Sequence, residues 1–188
     1  HLYRTVSYCS RGTRMDLKVI DNFLSENDFQ MLVNNTINRN DGGQIPLRVV
    51  SNVENWKKEE TEDYWSWYMI NMVYIKDSPQ NEICGKIYEM FVPKFKELAN
   101  FKTMIRIKIN AYPYTNVVKE HKEHIDAEFS HTAALFSLNT CNGYTKFSDG
   151  TKVESVANRI VFFDASKYHQ STTTSNAKLR YNINFNFL

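Results

Sequence analysis

Two histidines and one aspartate are the residues of this sequence best suited to holding a metal ion. His124 and Asp126 are two positions apart, so in an extended segment their imidazole and carboxylate point to the same side. His169 follows an apolar run that ends at Asp164 and predicts a buried strand. Two histidines and a carboxylate form a facial triad with open coordination positions, which suits non-haem Fe(II) binding a co-substrate and O₂. Zinc is the rival metal, but the helical H-E-x-x-H motif usual in such hydrolytic sites is absent.

The His-x-Asp pattern is weak evidence when it stands alone. His121-Lys122-Glu123 matches a similar pattern immediately before it. On the alternative interpretation, His124 and Asp126 are exposed loop residues in a charged stretch. We expect His121 to support the site from outside the ligand set or to face solvent, and His131 to be an ordinary loop or strand residue.

An arginine near the end of the chain indicates an anionic partner. Residues 178–188 alternate between apolar and polar side chains, which predicts a strand with Arg180 on its polar face. That face would line a wet cavity or meet solvent. The strand carries no acidic residue, and a guanidinium buried without a partner destabilises a fold by several kcal/mol. A ligand carboxylate therefore suits Arg180 best, because it accepts two parallel hydrogen bonds, and a structural ion pair is the alternative.

The elements that must position these residues change character near residue 100. Ser25 predicts the N-cap of a helix reaching about Arg39, and Ser78-Pro79 predicts the start of a second helix. Beyond these helices the chain is predicted to form strands, at 104–112, 133–139, 144–156 (a hairpin with a two-residue Asp149-Gly150 turn), 159–164 and 178–188. This order predicts an α+β domain, a double-stranded β-helix (jelly roll) with N-terminal helices packed on one sheet.

Composition fits one domain over 1–188, with 1–102 as helical and strand support and 103–188 as the jelly-roll core. The 188 residues, 42% of them hydrophobic, suffice for one core, and a net charge of +2 gives no nucleic-acid footprint. An odd set of separated cysteines (Cys9, Cys84 and Cys141) argues against a disulfide framework and predicts a reducing, cytoplasmic location. No apolar run is long enough to span a membrane, and because the first residues are polar and basic we expect them not to be a signal peptide.

Further motifs accompany the metal and arginine residues. They are Asn110-Ala111-Tyr112-Pro113, Leu138-Asn139 followed by Gly143-Tyr144-Thr145-Lys146-Phe147, and Arg159-Ile160-Val161-Phe162-Phe163-Asp164. With the triad and Arg180 they resemble the 2-oxoglutarate/Fe(II) dioxygenase superfamily, most closely its prolyl-4-hydroxylase-like branch and small phage and bacterial members. The likeness is loose over 17–188 and good over 103–188. It departs at Tyr144, where the family has a second glycine, at Ser137, where some relatives have a tyrosine, and at Asn182, where serine is common.

The resemblance implies a role for each matching residue. His124, Asp126 and His169 would hold Fe(II), and Arg180 would pair with the distal carboxylate of 2-oxoglutarate. Tyr112 would donate its hydroxyl to the co-substrate. The remaining expected co-substrate contacts are Asn110, Ser137 and Asn182. O₂ is the second co-substrate, and ascorbate is a candidate accessory reductant.

The substrate stays open at this point. The resemblance implies a hydroxylase of a peptidyl residue, with proline favoured, or of a small amino-acid-like molecule. One alternative is a non-catalytic jelly-roll binding module, and a weaker one is a nucleic-acid demethylase of the alkylation-repair type, in which a second arginine stands at the position of Asn186. Trp56, Trp65 and Trp67 are predicted to belong to the core or a lid, with a substrate platform as the alternative. No feature predicts a membrane partner or an oligomeric state.

Overall fold

The computed structural model describes residues 5–7, 17–38, 45–51 and 64–188. Two helices are present in these ranges, α1 (Glu26–Thr36) and α2 (Ile83–Leu98). The strands are β1 (Thr5–Ser7), β2 (Lys18–Ile20), β3 (Arg48–Ser51), β4 (Trp67–Ile75), β5 (Ser78–Pro79), β6 (Met104–Pro113), β7 (Thr132–Ser137), β8 (Tyr144–Phe147), β9 (Lys152–Glu154), β10 (Ile160–Asp164), β11 (His169–Gln170) and β12 (Leu179–Phe187). Cys9, Trp56 and the predicted helix end at Arg39 lie outside the described residues.

The first helix begins where its sequence predicts, whereas the second does not. Ser25 caps α1 by accepting a hydrogen bond from the Asp28 amide at 3.2 Å. The predicted helix start at Ser78-Pro79 is wrong, because these residues form β5 and pair with β4. The preceding Lys76 and Asp77 both have φ of 53°, a left-handed pair that reverses the chain into a tight hairpin. The helix α2 therefore starts only at Ile83.

Nine strands form the main sheet of the described structure, in the order β1-β2-β10-β7-β12-β6-β4-β3, with β5 beside β4. Every pair is antiparallel, and β12 and β6 share the longest register, from Leu179↔Pro113 to Phe187↔Met104. Strands from the first half of the chain extend both edges of this sheet. The β2 strand pairs with β10 at one edge, and β4 pairs with β6 towards the other.

The two faces of the main sheet differ sharply in chemistry. On one face the helix α2 packs Phe91 and Phe95 against Phe185 and Phe187 of β12, and all four rings are fully buried. The other face carries the alternating polar residues of the same strand, which are also buried: Arg180, Asn182, Asn184 and Asn186. The predicted alternation is confirmed, and the polar face lines the interior of the domain rather than solvent.

A smaller sheet, β11-β8-β9, covers that polar face. Apolar residues from both sheets pack together, including Val153 of β9 and Phe163 of β10. Two paired sheets with helices on the outside of one of them are the predicted jelly roll. The β8–β9 turn differs in detail, because three residues, Ser148 to Gly150, connect the Phe147–Thr151 pair, and Gly150 has a φ of 87°. Among the described helices, none has the length and apolar character needed to cross a membrane.

Candidate metal centre and co-substrate pocket

The backbone of the small sheet brings the two predicted histidine ligands side by side. The His124 amide donates to the His169 carbonyl at 2.9 Å, and the His169 amide donates to the His124 carbonyl at 3.0 Å. The two residues are therefore direct partners on antiparallel segments, and their side chains project to the same side. Their ring centroids are 4.6 Å apart.

Asp126 reaches the histidines because its own backbone is tied to the end of β10. Its amide donates to the Ala165 carbonyl at 3.0 Å. One ligand atom from each of His124, Asp126 and His169 lies within 4.8 Å of the others, a spacing that suits a single metal ion. The structure thus brings together two predicted residues from the segment between β6 and β7 and one from β11.

The protonation pattern of the site also suits a metal. His169 Nδ1 lies 3.0 Å from the Lys167 carbonyl, which can only accept, so Nδ1 carries the proton and Nε2 is the nitrogen left for a metal. Burial lowers the pKa of His124 to about 4, and the neighbouring His169 adds to this effect. Metal coordination requires a neutral imidazole with one unprotonated nitrogen, and these features of His124 and His169 meet that requirement.

The carboxyl of Asp126 is held in its ionised form. Asn186 donates to Oδ2 at 2.8 Å, and Arg106 Nη2 lies 3.3 Å from Oδ1. Burial on its own raises the pKa of Asp126, but His169, Arg106 and the Asn186 hydrogen bond outweigh it and hold the pKa well below its usual value. Oδ2 also accepts a longer hydrogen bond from Asn184, at 3.4 Å, whereas Oδ1 keeps a further lone pair that is available for a metal bond.

Arg180 occupies the other end of the polar face and has no acidic partner among the described residues. It is 1% exposed. Its guanidinium donates to the Thr145 hydroxyl at 2.8 Å and to the Thr172 carbonyl at 3.3 Å, while its Nε has no hydrogen-bond partner. A buried cation satisfied only by neutral oxygens fits a pocket that receives an anion.

Gly143 makes the packing of Arg180 feasible. A Cβ atom at this position would lie 2.7 Å from Arg180 Cδ and 2.7 Å from the Thr173 carbonyl oxygen, both far inside van der Waals contact. Two residues of the Gly143-to-Phe147 motif therefore contact the same side chain. Gly143 leaves space for Arg180, and the Thr145 hydroxyl accepts a hydrogen bond from its guanidinium.

Three of the predicted co-substrate residues lie on β6 and β12, between Arg180 and the asparagines that contact Asp126 or directly beside Arg180. Tyr112 lies beside Arg180, whose Cζ is 5.4 Å from the tyrosine ring centroid, and burial raises the pKa of Tyr112 to about 12, so its hydroxyl stays protonated. Asn110 donates to Asn182 at 2.8 Å. This leaves Asn110 Oδ1 and Asn182 Nδ2 buried without partners, as expected of atoms that face a polar ligand. Ser137 is paired with Asn182 across β7 and β12, but its hydroxyl accepts from Ser155 at 3.3 Å.

Several residues at the site were not singled out from the sequence. Arg106 and Asn186 hold the Asp126 carboxylate, and His131 Nε2 lies 3.2 Å from Asn186 Nδ2, so His131 is more than an ordinary loop residue. Only the polar alternation of 104–112 and 178–188 could have indicated Arg106 and Asn186. His121 is buried rather than exposed, and its ring lies 5.4 Å from that of Trp65.

Comparison with known proteins gives a consistent answer at the level of the fold. No model of a protein family matches the sequence, and no curated protein is matched either. Among solved structures, a prolyl-4-hydroxylase from Pseudomonas putida is similar, with 17% identity, a TM-score of 0.61 and 93% of each chain covered. A viral collagen prolyl hydroxylase from Paramecium Bursaria Chlorella virus-1, solved as a 2OG complex, has 14% identity, a TM-score of 0.59 and coverage of 92% of this chain and 96% of its own.

A third similar structure is a prolyl hydroxylase from Trichoplax adhaerens in complex with a peptide fragment of the hypoxia inducible factor oxygen degradation domain. It has 15% identity, a TM-score of 0.62 and coverage of 91% of this chain and 83% of its own. The architecture predicted from the sequence is thereby confirmed. This chain has the double-stranded β-helix fold of the prolyl-4-hydroxylase-like 2-oxoglutarate/Fe(II) oxygenases.

Proposed function

We propose that this chain is an Fe(II)- and 2-oxoglutarate-dependent hydroxylase. The observation that carries the proposal is the convergence of His124, Asp126 and His169 within 4.8 Å, on the polar face that also buries Arg180. A two-histidine, one-carboxylate set with an open side is the donor set of non-haem Fe(II) oxygenases. A binding module would have no use for this arrangement.

Bound at the triad, Fe(II) would activate O₂, so that one oxygen atom enters a substrate C–H bond while 2-oxoglutarate loses CO₂ and takes up the other oxygen as succinate. The protein's contribution is geometry and charge. Asn186 and Arg106 fix the orientation of the Asp126 carboxylate, and the Lys167 carbonyl fixes the tautomer of His169.

Arg180 would bind the distal carboxylate of 2-oxoglutarate and so set the distance between co-substrate and metal. Burial lowers the pKa of Arg180, but a guanidinium stays cationic in proteins, and a ligand carboxylate supplies the negative charge that no acidic residue of that strand provides. Tyr112 and Asn182 offer a hydroxyl and a free amide N–H to the same ligand. Trp65 and His121 pack together beside Tyr112 and help to exclude water from this end of the pocket.

The substrate class proposed is a peptidyl residue, with proline favoured, or a small amino-acid-like molecule. Similarity of fold to two prolyl hydroxylases, one of them holding a peptide, supports the first choice. The structure gives no support to nucleic-acid demethylation. Asn186 stands where that group has a second arginine, and its side chain is already engaged by Asp126 and Arg106.

Succinate formation from 2-oxoglutarate by iron-loaded protein, in the presence of ascorbate, tests the proposal. We expect wild type to produce succinate and Asp126→Ala to lose both metal binding and turnover, because two imidazoles alone hold Fe(II) poorly. Glu123→Ala is the matched control. Glu123 is the exposed acid of the neighbouring His121-Lys122-Glu123 pattern, and its variant should behave as wild type. Wild type that neither binds 2-oxoglutarate nor turns it over with iron would refute the proposed function, as would an Asp126→Ala variant that retains full activity.

A further inference from the structure

A second cation lies on the polar face, beside the triad rather than at the Arg180 end. Lys108 of β6 is paired with Asn184 of β12 on one side and Met72 of β4 on the other. Residues paired across antiparallel strands share a face, so Lys108 lies on the same side of the sheet as Asn184, whose amide is 3.4 Å from Asp126. Its charge acts on both His124 and Asp126.

Lys108 has no acidic partner among the described residues. The charge of Asp126 acts on Lys108, but the carboxylate contacts Arg106 and Asn186 and forms no salt bridge with Lys108. Within the described part of the chain, the specific contact of the ammonium is with the ring of Tyr68, whose centroid lies 5.3 Å from Nζ. An aromatic face stabilises a cation less than a carboxylate does. An anionic ligand would therefore stabilise the Lys108 ammonium further.

The surroundings of Lys108 are positively charged overall. Arg106 on the same strand and the exposed Arg48 on β3 both lower the pKa of Lys108, and Asp126 partly offsets them. Burial, followed by Arg106, lowers the pKa of Lys108 to about 8, which still leaves the ammonium mostly protonated at neutral pH. A divalent metal at the triad would add further positive charge nearby.

We propose that Lys108 binds a carboxylate of the prime substrate and thereby directs the neighbouring carbon of that substrate towards the metal. This inference rests on the proposed function, because it takes the triad as the reacting centre. Lys108 is half-buried on β6, the strand between β12 and β4, and it lies four residues along that strand from Tyr112, the residue paired with Arg180. The co-substrate fills the Arg180 end, so the carboxylate at Lys108 belongs to the second molecule. It could be the α-carboxylate of a free amino acid or an acidic side chain of a peptide.

Proton relaxation of small probes tests this inference directly. The protein is loaded with Mn(II) and saturating 2-oxoglutarate, and each probe is titrated in turn. Glycine represents a free amino acid, with glycinamide as the match that keeps the amine but lacks the carboxylate. N-acetylaspartate amide represents an acidic peptide side chain, with N-acetylasparagine amide as its match. We expect at least one carboxylate probe to show saturable paramagnetic relaxation while its amide match does not, and the better probe identifies the source of the carboxylate.

Variants separate the role of Lys108 from general electrostatics. We expect Lys108→Met to weaken carboxylate binding by about tenfold or more, and Lys108→Arg to retain most of it. Lys94→Met is the matched control, because Lys94 also sits over an aromatic ring, 5.3 Å from the Phe23 centroid, but on the helix side of the sheet. That variant should bind the probes as wild type does.

The outcomes distinguish the two levels of the proposal. If Mn(II) binds, as reported by relaxation of water protons, but carboxylate and amide probes behave alike, the substrate inference is wrong while the proposed function stands. Equal probe binding by wild type and Lys108→Met would refute it in the same way. If Mn(II) and 2-oxoglutarate do not bind at all, the proposed function falls and this inference falls with it.

Discussion

The side chains on the two faces of β12 are almost equally buried, but those on one face are apolar and those on the other are polar. On the helix side, Phe185 and Phe187 pack against the rings of α2, and their side chains contain no polar atom that would need a hydrogen bond. On the site side, Arg180 and Asn182 are equally buried yet keep polar atoms without hydrogen-bond partners. Apolar burial stabilises the fold, whereas buried unsatisfied polar groups destabilise it.

One strand thus carries core-packing residues on one face and candidate ligand-binding residues on the other. Residues of the helix side are chosen for packing and should be sensitive to changes of volume. Residues of the site side are retained despite their effect on stability, which is the pattern expected of groups that await a ligand. Substitutions on the two faces should therefore separate stability from binding.

The largest effect should come from the helix side. Phe95→Ala removes a fully buried ring that stacks on Phe187 and contacts Phe185 and Phe162, and we expect it to lower the free energy of unfolding by about 3–5 kcal/mol. Urea denaturation measures this loss, and the metal affinity of the protein that remains folded should match that of wild type. A loss below about 1 kcal/mol would contradict the assignment of this face to the main core.

A substitution on the site side should have the reverse profile. Arg180→Met keeps much of the volume and removes a buried charge, so we expect unfolding free energy to stay the same or rise. The affinity for 2-oxoglutarate should fall about 10–100-fold, since hydrogen bonds to a charged partner are lost. Calorimetric titration with the Mn(II)-loaded protein gives the affinity. Undiminished 2-oxoglutarate binding, or destabilisation as large as that of Phe95→Ala, would remove the distinction between the faces.

The smallest effect is confined to acidic pH and concerns His121. Burial lowers the pKa of His121 to about 4 from an ordinary value of 6.5. Between these values the unfolded chain binds a proton that the folded chain does not, so the metal-free protein should lose stability as pH falls from about 6.5 to 4. Urea midpoints measured in a chelating buffer should fall less steeply for His121→Gln than for wild type. Parallel pH profiles of the two proteins would show that His121 is not buried as described.

Much of this arrangement is predictable from the sequence because it depends on local pattern. The alternation of residues 178–188 predicts both faces of β12, and the spacing of His124 and Asp126 predicts a shared side. The distant His169 could be added because a strongly apolar strand precedes it. Each of these signals is read over a few neighbouring residues.

The parts that could not be predicted depend on register and on contacts between distant strands. Nothing local indicates that Asn186 and Arg106 meet at Asp126, since that contact follows from the pairing of β12 with β6 and the loop before β7. The misplaced start of the second helix has a local cause. Pro79 suits the first turn of a helix, but the left-handed turn before it allowed a short strand pair instead.

A crystal structure of the protein grown with Mn(II) and 2-oxoglutarate would test the central claim most directly. We expect one Mn(II) ion, located by its anomalous signal and coordinated by His124 Nε2 or Nδ1, an Asp126 oxygen and His169 Nε2, with the distal carboxylate of 2-oxoglutarate on Arg180. A metal bound elsewhere, or an Arg180 guanidinium that pairs with a protein carboxylate while the co-substrate lies outside the polar face, would contradict it.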